Sequence, residues 1–144
     1  MSRPVLYVAI TSHGFGHAVR AVSVAAATQA LLPDLLPIFI TKVPDWLIRS
    51  YFSGEFEQRD RALDIGVVQS DSIQMDLDAT RQELDKLREK EDKIIEEEAT
   101  FIRDRDAKLM IADIPALAGK IAKTAGIPCW SMSNFGWDFI YRDW

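Results

Sequence analysis

Five short apolar segments, separated by segments of helical character, constrain this chain more than any other feature. The first, PVLYVAIT, is rich in β-branched residues and bounded by a proline and a glycine-rich loop, which predicts a strand buried on both faces. The predicted strands are residues 4–11, 35–42, 63–70, 108–114 and 127–134, and the predicted helices are residues 18–32, 44–52, 76–106 and 115–126. This alternation predicts an α/β fold: a doubly wound, mainly parallel sheet of five or more strands, covered by helices on both faces.

Charge is concentrated in the segment 76–106. That segment holds twelve acidic and seven basic residues, a balance of −5 that equals the net charge of the whole chain, so the remainder is neutral. Without a basic stripe, nucleic acid is not expected as a partner. Leu77, Leu84 and Leu87 recur at roughly helical spacing, which favours one long helix with a solvated face inside a single domain of residues 1–144. A homodimer joined through this helix is the alternative, although the heptads are irregular.

Cys129 is the single cysteine, so an internal disulfide is excluded and a reducing compartment is favoured. The apolar run at the N-terminus is too short for a membrane span, and it has no small-residue cleavage site. These features predict a cytoplasmic protein. The last ten residues, FGWDFIYRDW, end without a polar tail, and we expect the chain to be truncated from a two-domain protein.

The loop after the first predicted strand, SHGFGH at residues 12–17, contains both histidines of the chain. Ligands of a doubly wound sheet collect at this carboxyl edge. Gly14 and Gly16 allow a tight turn and let backbone N–H groups approach an anion at the start of the next helix. The loop is therefore either a cradle for phosphate or a strand-to-helix turn with no ligand.

Two other interpretations of the loop are weaker. A dinucleotide site needs a third glycine where Val19 stands, and Thr41 and Lys42 end the second strand without an acid to hold a ribose. A zinc site needs more ligands than the two histidines, and the nearest candidates are Cys129 and Asp113. No metal or cofactor is therefore expected.

A general base is the remaining interpretation. His17 would stand near the start of the first helix, and a base of this kind needs a carboxylate behind it to fix the imidazole tautomer. Asp113 ends the apolar fourth strand, which in such a sheet commonly lies beside the first. The alternative for Asp113 is a cap on the helix that follows.

Other polar residues are expected at the same edge. Arg20, one turn along the first helix, would meet an anion or form a surface salt bridge. Asp71, Asn134 and Asp138 follow the third and fifth strands and are candidate acceptor contacts, with turn formation as the alternative for the first two. Trp137 would be a sugar-stacking platform or a core residue. The candidates for binding donor phosphate or acceptor are Ser12, His13, Gly14, Phe15, Gly16, Arg20, Asp71, Asn134 and Asp138.

These residues carry a resemblance to a known family. "GH" after the first strand and "IAD" at the end of the fourth resemble the N-terminal domain of GT-B glycosyltransferases, in which a histidine pairs with an aspartate about a hundred residues later. Here His17 and Asp113 are 113 − 17 = 96 residues apart. The segments TSHGFGHAVR, DIGVVQSDSIQMD and SNFGWDFIYRDW resemble more closely the glycosyltransferase-like region found alone in bacteria and fused ahead of plant L-arabinokinase.

The resemblance implies the acceptor-binding N-terminal domain of an inverting glycosyltransferase. His17 and Asp113 would be catalytic, and an absent C-terminal domain would hold most of the nucleotide-sugar donor, so the isolated domain would be inactive. In this chain SHGFGH replaces the more glycine-rich loop of many relatives. The alternative is a non-catalytic sugar- or nucleotide-binding regulatory module fused to, or partnering, another enzyme.

Overall fold

The β–α alternation is realised in a computed structural model, which describes residues 3–71 and 74–142. In chain order the elements are β1 (Val5–Ile10), α1 (Phe15–Leu31), β2 (Leu36–Ile40), α2 (Asp45–Tyr51), β3 (Glu57–Arg59), α3 (Leu77–Asp104), β4 (Leu109–Asp113), α4 (Leu117–Ala125), β5 (Cys129–Met132) and α5 (Trp137–Ile140). The charged segment forms α3, and the side chain of Asp76 caps its start by accepting a hydrogen bond from the backbone of Ala79 at 2.8 Å.

The sheet has the order β3-β2-β1-β4-β5, and every paired strand is parallel. Because β1 lies in the centre, the chain builds outward to β2 and β3 first and then crosses back to β4 and β5. The carboxyl ends of β1 and β4 therefore meet at the point where the strand order reverses, which is where open α/β sheets bind ligands. Ile10 of β1 is in register with Asp113 of β4.

Two apolar layers cover the sheet. On one face the side chains of Tyr7 and Ala9 pack with α3 and α4, and on the other face Leu6, Val8 and Ile10 pack with α1 and α2. All six residues of β1 are buried, as its continuous apolar sequence predicts. Helices on both faces and five parallel strands confirm the predicted doubly wound α/β fold.

The prediction of a third strand at residues 63–70 is wrong. The strand that pairs with β2 is β3, three polar residues at the edge of the sheet. In the segment 63–70, Gly66 has φ +61°, which breaks the extended backbone, and apart from an isolated bridge at Gln69 the segment is a loop. Two apolar residues of this loop, Leu63 and Val67, are buried. The apolar pattern of a strand thus came from a loop that packs on the core.

A buried ionic cluster ties the edge strand to α3. The carboxylate of Glu98 is fully buried and accepts hydrogen bonds from Tyr7, from Arg59 at 2.7 and 2.8 Å, and from Arg61 at 2.7 Å. The guanidinium of Arg59 also lies over the ring of Phe101, 3.8 Å from its centroid. Burial and the neighbouring Glu98 carboxylate raise the pKa of Tyr7. Among the described residues, no helix is both long and apolar enough to cross a membrane.

Candidate functional site at the carboxyl edge of the sheet

His17 and Asp113 meet where β1 and β4 end. Nδ1 of His17, in the first turn of α1, lies 2.9 Å from Oδ1 of Asp113, the last residue of β4. The Asp113 side chain is fully buried, whereas the imidazole is 19% exposed. An ionised carboxylate can only accept hydrogen bonds, so Nδ1 is assigned the proton and Nε2 carries the free lone pair. The pair therefore has the form of a histidine base backed by a carboxylate.

Arg20 is the third member of this cluster. Its Nε donates to Asp113 Oδ2 and its Nη2 to Oδ1, both at 2.7 Å, so the guanidinium grips the carboxylate with two parallel hydrogen bonds. Nη2 also lies 3.3 Å from His17 Nδ1. The hydrogen bonds to Asp113 raise the pKa of Arg20 above its ordinary value. Arg20 thus forms a salt bridge, one of the two roles suggested by the sequence, and its partner is the fully buried carboxylate of Asp113.

The backbone after Asp113 is strained. Ile114 has φ +82°, a conformation that a β-branched residue rarely adopts and that costs about 1–3 kcal/mol. The side chain of Asp113 does not cap α4, since the residue before that helix is Ala116 and no side-chain oxygen caps it. Asp113 therefore does not act as the helix cap that the sequence offered as its alternative role. The strained residue, Ile114, directly follows the aspartate that contacts His17.

Asp64 belongs to the site and was missed from the sequence. It lies in the loop before Gly66, where its carboxylate accepts hydrogen bonds from Thr11 Oγ1 at 3.0 Å and from Trp137 Nε1 at 2.8 Å. Burial raises the pKa of Asp64, and the hydrogen bonds from Trp137 and Thr11 oppose the rise. An acid between two apolar residues beside a glycine was the available signal, and the prediction of a strand there concealed it.

Aromatic rings line one side of the two histidines. The ring of Phe135 makes edge contacts with His17 and with Trp137, each at 5.9 Å between centroids. His13 contacts Trp137 in the same way at 5.4 Å, and Trp137 stacks on Tyr141 at 5.7 Å. Trp137 is only 7% exposed and its indole N–H is bonded to Asp64, so it is a core residue rather than an open stacking platform.

An open cleft of about 590 Å³ adjoins this aromatic group. It is lined by the end of β4, the start of α4 and the segment after β5, with Ile114, Ser133, Asn134, Phe135 and Asp138 among its walls. Asn134 and Asp138 thus line a cleft whose wall includes Phe135, and the ring of Phe135 contacts His17. Asp71 does not line this cleft.

Three further predicted site residues, Asp71, Ser12 and His13, have structural contacts within or between loops. Asp71 accepts a hydrogen bond from the backbone of Gln74 at 2.8 Å, the arrangement of a turn former. The hydroxyl of Ser12 accepts from the backbone N–H of Lys42 at 2.9 Å, which joins the loops after β1 and β2. His13 lies over Gly66, where a Cβ would come 2.6 Å from its Nδ1.

The glycine loop itself is open to solvent. Gly14 has φ +91°, and, apart from the adjoining chain and helix backbone, no atom lies within 4 Å of where a Cβ would stand on Gly14 or Gly16. Phe15 between them is 52% exposed and makes an edge contact with Trp46, which is 59% exposed. No side chain caps the start of α1, so its first backbone N–H groups are accessible. Across the described ranges, no group of three histidine, cysteine or acidic residues could hold a metal ion.

Comparisons with known proteins agree with this architecture. No family model matches the chain. It is 31% identical over 137 residues to L-arabinokinase from Arabidopsis thaliana, an alignment that covers 94% of this chain and 13% of that protein. The chain therefore spans about an eighth of this relative.

Solved structures share the fold at low identity. A UGT transferase from Siraitia grosvenorii in complex with UDP matches with a TM-score of 0.55 and 15% identity, over 89% of this chain and 27% of that one. Phytolacca americana UGT2, complexed with UDP-2-fluoro-glucose and pterostilbene, matches with a TM-score of 0.59 and 12% identity. That match covers 92% of this chain and 31% of UGT2. The C-terminal domain of a Pyrococcus furiosus hydrogenase also matches, with a TM-score of 0.53 and 12% identity over 91% and 92%.

The hydrogenase match shows that the fold alone does not determine an activity. The resemblance inferred from the sequence is confirmed in both of its parts, the L-arabinokinase region and the fold of the transferases. The chain has a Rossmann-like fold that it shares with the two transferases, and it is similar in sequence to a segment of L-arabinokinase from Arabidopsis thaliana.

Proposed function

We propose that this chain is the acceptor-binding domain of an inverting glycosyltransferase that uses a nucleotide-sugar donor. The observation that carries the proposal is the 2.9 Å contact between His17 Nδ1 and the buried carboxylate of Asp113. It directs Nε2, the free nitrogen of a part-exposed ring, away from the carboxylate, as a base requires.

The reaction has one displacement step. An acceptor hydroxyl attacks the anomeric carbon of the donor sugar while His17 Nε2 takes the hydroxyl proton. The bond from that carbon to the nucleoside diphosphate breaks, its electron pair stays on the phosphate oxygen, and the anomeric configuration inverts. Asp113 orients the ring and balances the charge of the imidazolium. A positioned base of this kind contributes about 10²–10⁴ in rate.

Substrate binding is assigned to the two sides of His17. On one side the open backbone of Gly14 and Gly16, together with Ser12 and Phe15, would approach the donor pyrophosphate or the acceptor. On the other side the cleft lined by Asn134 and Asp138 has polar groups suited to acceptor hydroxyls. His13 would border the acceptor from its place beside Trp137. Asp71 is not part of the proposed substrate site, because its carboxylate accepts a hydrogen bond from the backbone of Gln74 within a turn.

A second domain is part of the proposal. The chain covers only 27% and 31% of the two transferases whose fold it shares. We therefore propose that a further domain contributes most of the donor site, and that residues 1–144 alone transfer nothing. Because one of those transferases was solved with UDP and the other with UDP-2-fluoro-glucose, a UDP-sugar is the donor class to try first.

The test uses the natural full-length protein that contains this sequence. It is incubated with UDP-glucose, UDP-galactose or UDP-arabinose and a panel of hydroxylated acceptors, and UDP release above donor hydrolysis is measured. The anomeric configuration of the product is then read by proton NMR, and we expect a configuration opposite to that of the donor. A retained configuration contradicts the proposal. Donor binding without transfer to any acceptor also contradicts it and favours the regulatory module.

A further inference from the structure

We propose that Arg20 is a positioning residue that selects which ring nitrogen of His17 is free to act as the base. Its catalytic consequence rests on the proposed function, whereas the selection itself is a property of the resting domain. The geometry that carries it is a competition between two partners for one atom, His17 Nδ1.

The first partner is the carboxylate. Asp113 Oδ1 lies 2.9 Å from Nδ1 and, when ionised, can only accept, so it requires a proton on Nδ1. The second partner is the guanidinium. Arg20 Nη2 lies 3.3 Å from Nδ1 and can only donate, so it would be satisfied by a bare Nδ1 and a proton on Nε2. Only the first arrangement leaves Nε2 as a base.

Which of the two His17 tautomers is preferred depends on the charge of Asp113. Its side chain is fully buried, and an uncompensated buried carboxylate is strongly disfavoured. Arg20 supplies the compensation through two hydrogen bonds of 2.7 Å. If Asp113 instead carried a proton, it could donate to Nδ1, and the ring would hold its own proton on Nε2. By keeping the carboxylate ionised, Arg20 favours the Nδ1–H tautomer even though its own Nη2 contact opposes it.

Other groups facing His17 do not replace this effect. Asp64, from the loop after β3, interacts with His17 through its charge, and no hydrogen bond between the two is seen in the described part of the chain. Phe135, from the segment after β5, contributes only the edge of its ring. Arg20 on α1 is thus the cationic group that acts on the carboxylate in direct contact with His17.

The test is nitrogen NMR of the 144-residue chain. Long-range proton–nitrogen correlations distinguish a protonated from a bare ring nitrogen, and a His13→Gln variant assigns the signals because the chain has only two histidines. We expect His17 to carry its proton on Nδ1 in the wild type and in Arg20→Lys, which retains the positive charge. In Arg20→Met we expect the Nε2–H form to become a major species.

The matched control is Arg49→Met. Arg49 makes the same type of 2.7 Å contact through Nε to Asp45, on the exposed surface of α2. We expect this variant to leave the His17 tautomer unchanged. Far-UV circular dichroism verifies that each variant is folded. An Arg20→Met spectrum with the wild-type tautomer overturns the inference, and so does one in which both ring nitrogens are protonated, because Asp113 would then be ionised without Arg20. A wild type in which Nε2 carries a proton also overturns it, even if Arg20→Met fails to fold.

The kinetic consequence separates this inference from the proposed function. In the full-length protein, Arg20→Met should lower kcat about tenfold with little change in KM, a smaller loss than the 10²–10⁴ expected for removing the base. If no transfer is found but the tautomer changes as expected, the proposed function fails and the role of Arg20 stands. If transfer occurs and Arg20→Met has the wild-type His17 tautomer, the proposed function stands and the role of Arg20 fails.

Discussion

The indole Nε1 of Trp137 donates a 2.8 Å hydrogen bond to Oδ2 of Asp64, and this bond joins α5 to the loop that follows β3. The two residues are 73 positions apart in the chain. The contact encloses a carboxylate next to both histidines, so the stability of this edge of the sheet is coupled to the protonation of Asp64.

Asp64 should make the stability of the fold depend on pH. Burial raises the pKa of this carboxyl in the folded protein, so between its unfolded value, near 4, and its higher folded value the native state binds more protons. The free energy of unfolding contributed by Asp64 therefore falls as the pH rises through that window. Urea unfolding of wild type and Asp64→Asn from pH 3 to 8 measures it.

We expect Asp64→Asn to lack this decrease. Its amide can still accept from Trp137 and donate to Thr11. The difference between the two proteins isolates Asp64 from the exposed carboxyls, among them Glu97, whose pKa is lowered by Arg61 and whose contribution has the opposite sign. A difference that is constant across the whole pH range would refute the coupling.

Gly66 should resist substitution. Its φ of +61° disfavours any side chain, and an alanine Cβ would approach His13 Nδ1 to 2.6 Å. We expect Gly66→Ala to destabilise the fold by more than about 1 kcal/mol and to displace His13 from Trp137. Gly119→Ala is the control, because Gly119 lies within α4 with open space around it, where alanine should stabilise by about 0.5–1 kcal/mol. Equal effects of the two substitutions on urea midpoints would contradict the expectation.

The buried ionic cluster should show an asymmetry between its members. Tyr7→Phe removes one donor and leaves Glu98 bonded to Arg59 and Arg61, so we expect a loss of about 1–2 kcal/mol. Glu98→Gln leaves both guanidinium groups without their shared counter-charge, and because each arginine is about a third exposed we expect about 3 kcal/mol. Denaturant unfolding at pH 7 compares them. A larger loss for Tyr7→Phe would show that the carboxylate is not the centre of the cluster.

The sequence predicted the parts of the site that follow from strand order. A continuous apolar run identifies β1, an acid at the end of another such run identifies Asp113, and a parallel sheet brings their carboxyl ends together. The direction of the Arg20 side chain could not be predicted in this way, because it depends on the rotamer that the buried carboxylate selects. Asp64 was missed since its loop reverses at Gly66, and a positive φ leaves no mark on hydrophobic periodicity.

The edge strand was misplaced for a related reason. β3 is short and polar, and none of the three residues that pair with β2 contributes an apolar side chain to the core. Arg59 is held there by Glu98, 39 residues later, so the stabilising partner of the strand is invisible to a local pattern. Leu63, which does follow an apolar pattern, packs into the core from a loop instead.

The most direct test of the central claim is the turnover of His17→Ala in the full-length protein with a UDP-sugar and its acceptor. Lys86→Gln is the control, since Lys86 pairs only with Glu83 on the exposed surface of α3 in the part of the chain that is described. We predict that kcat falls by about 10²–10⁴ in His17→Ala and stays at the wild-type value in the control. Wild-type turnover by a correctly folded His17→Ala protein would contradict the role of His17 as the base.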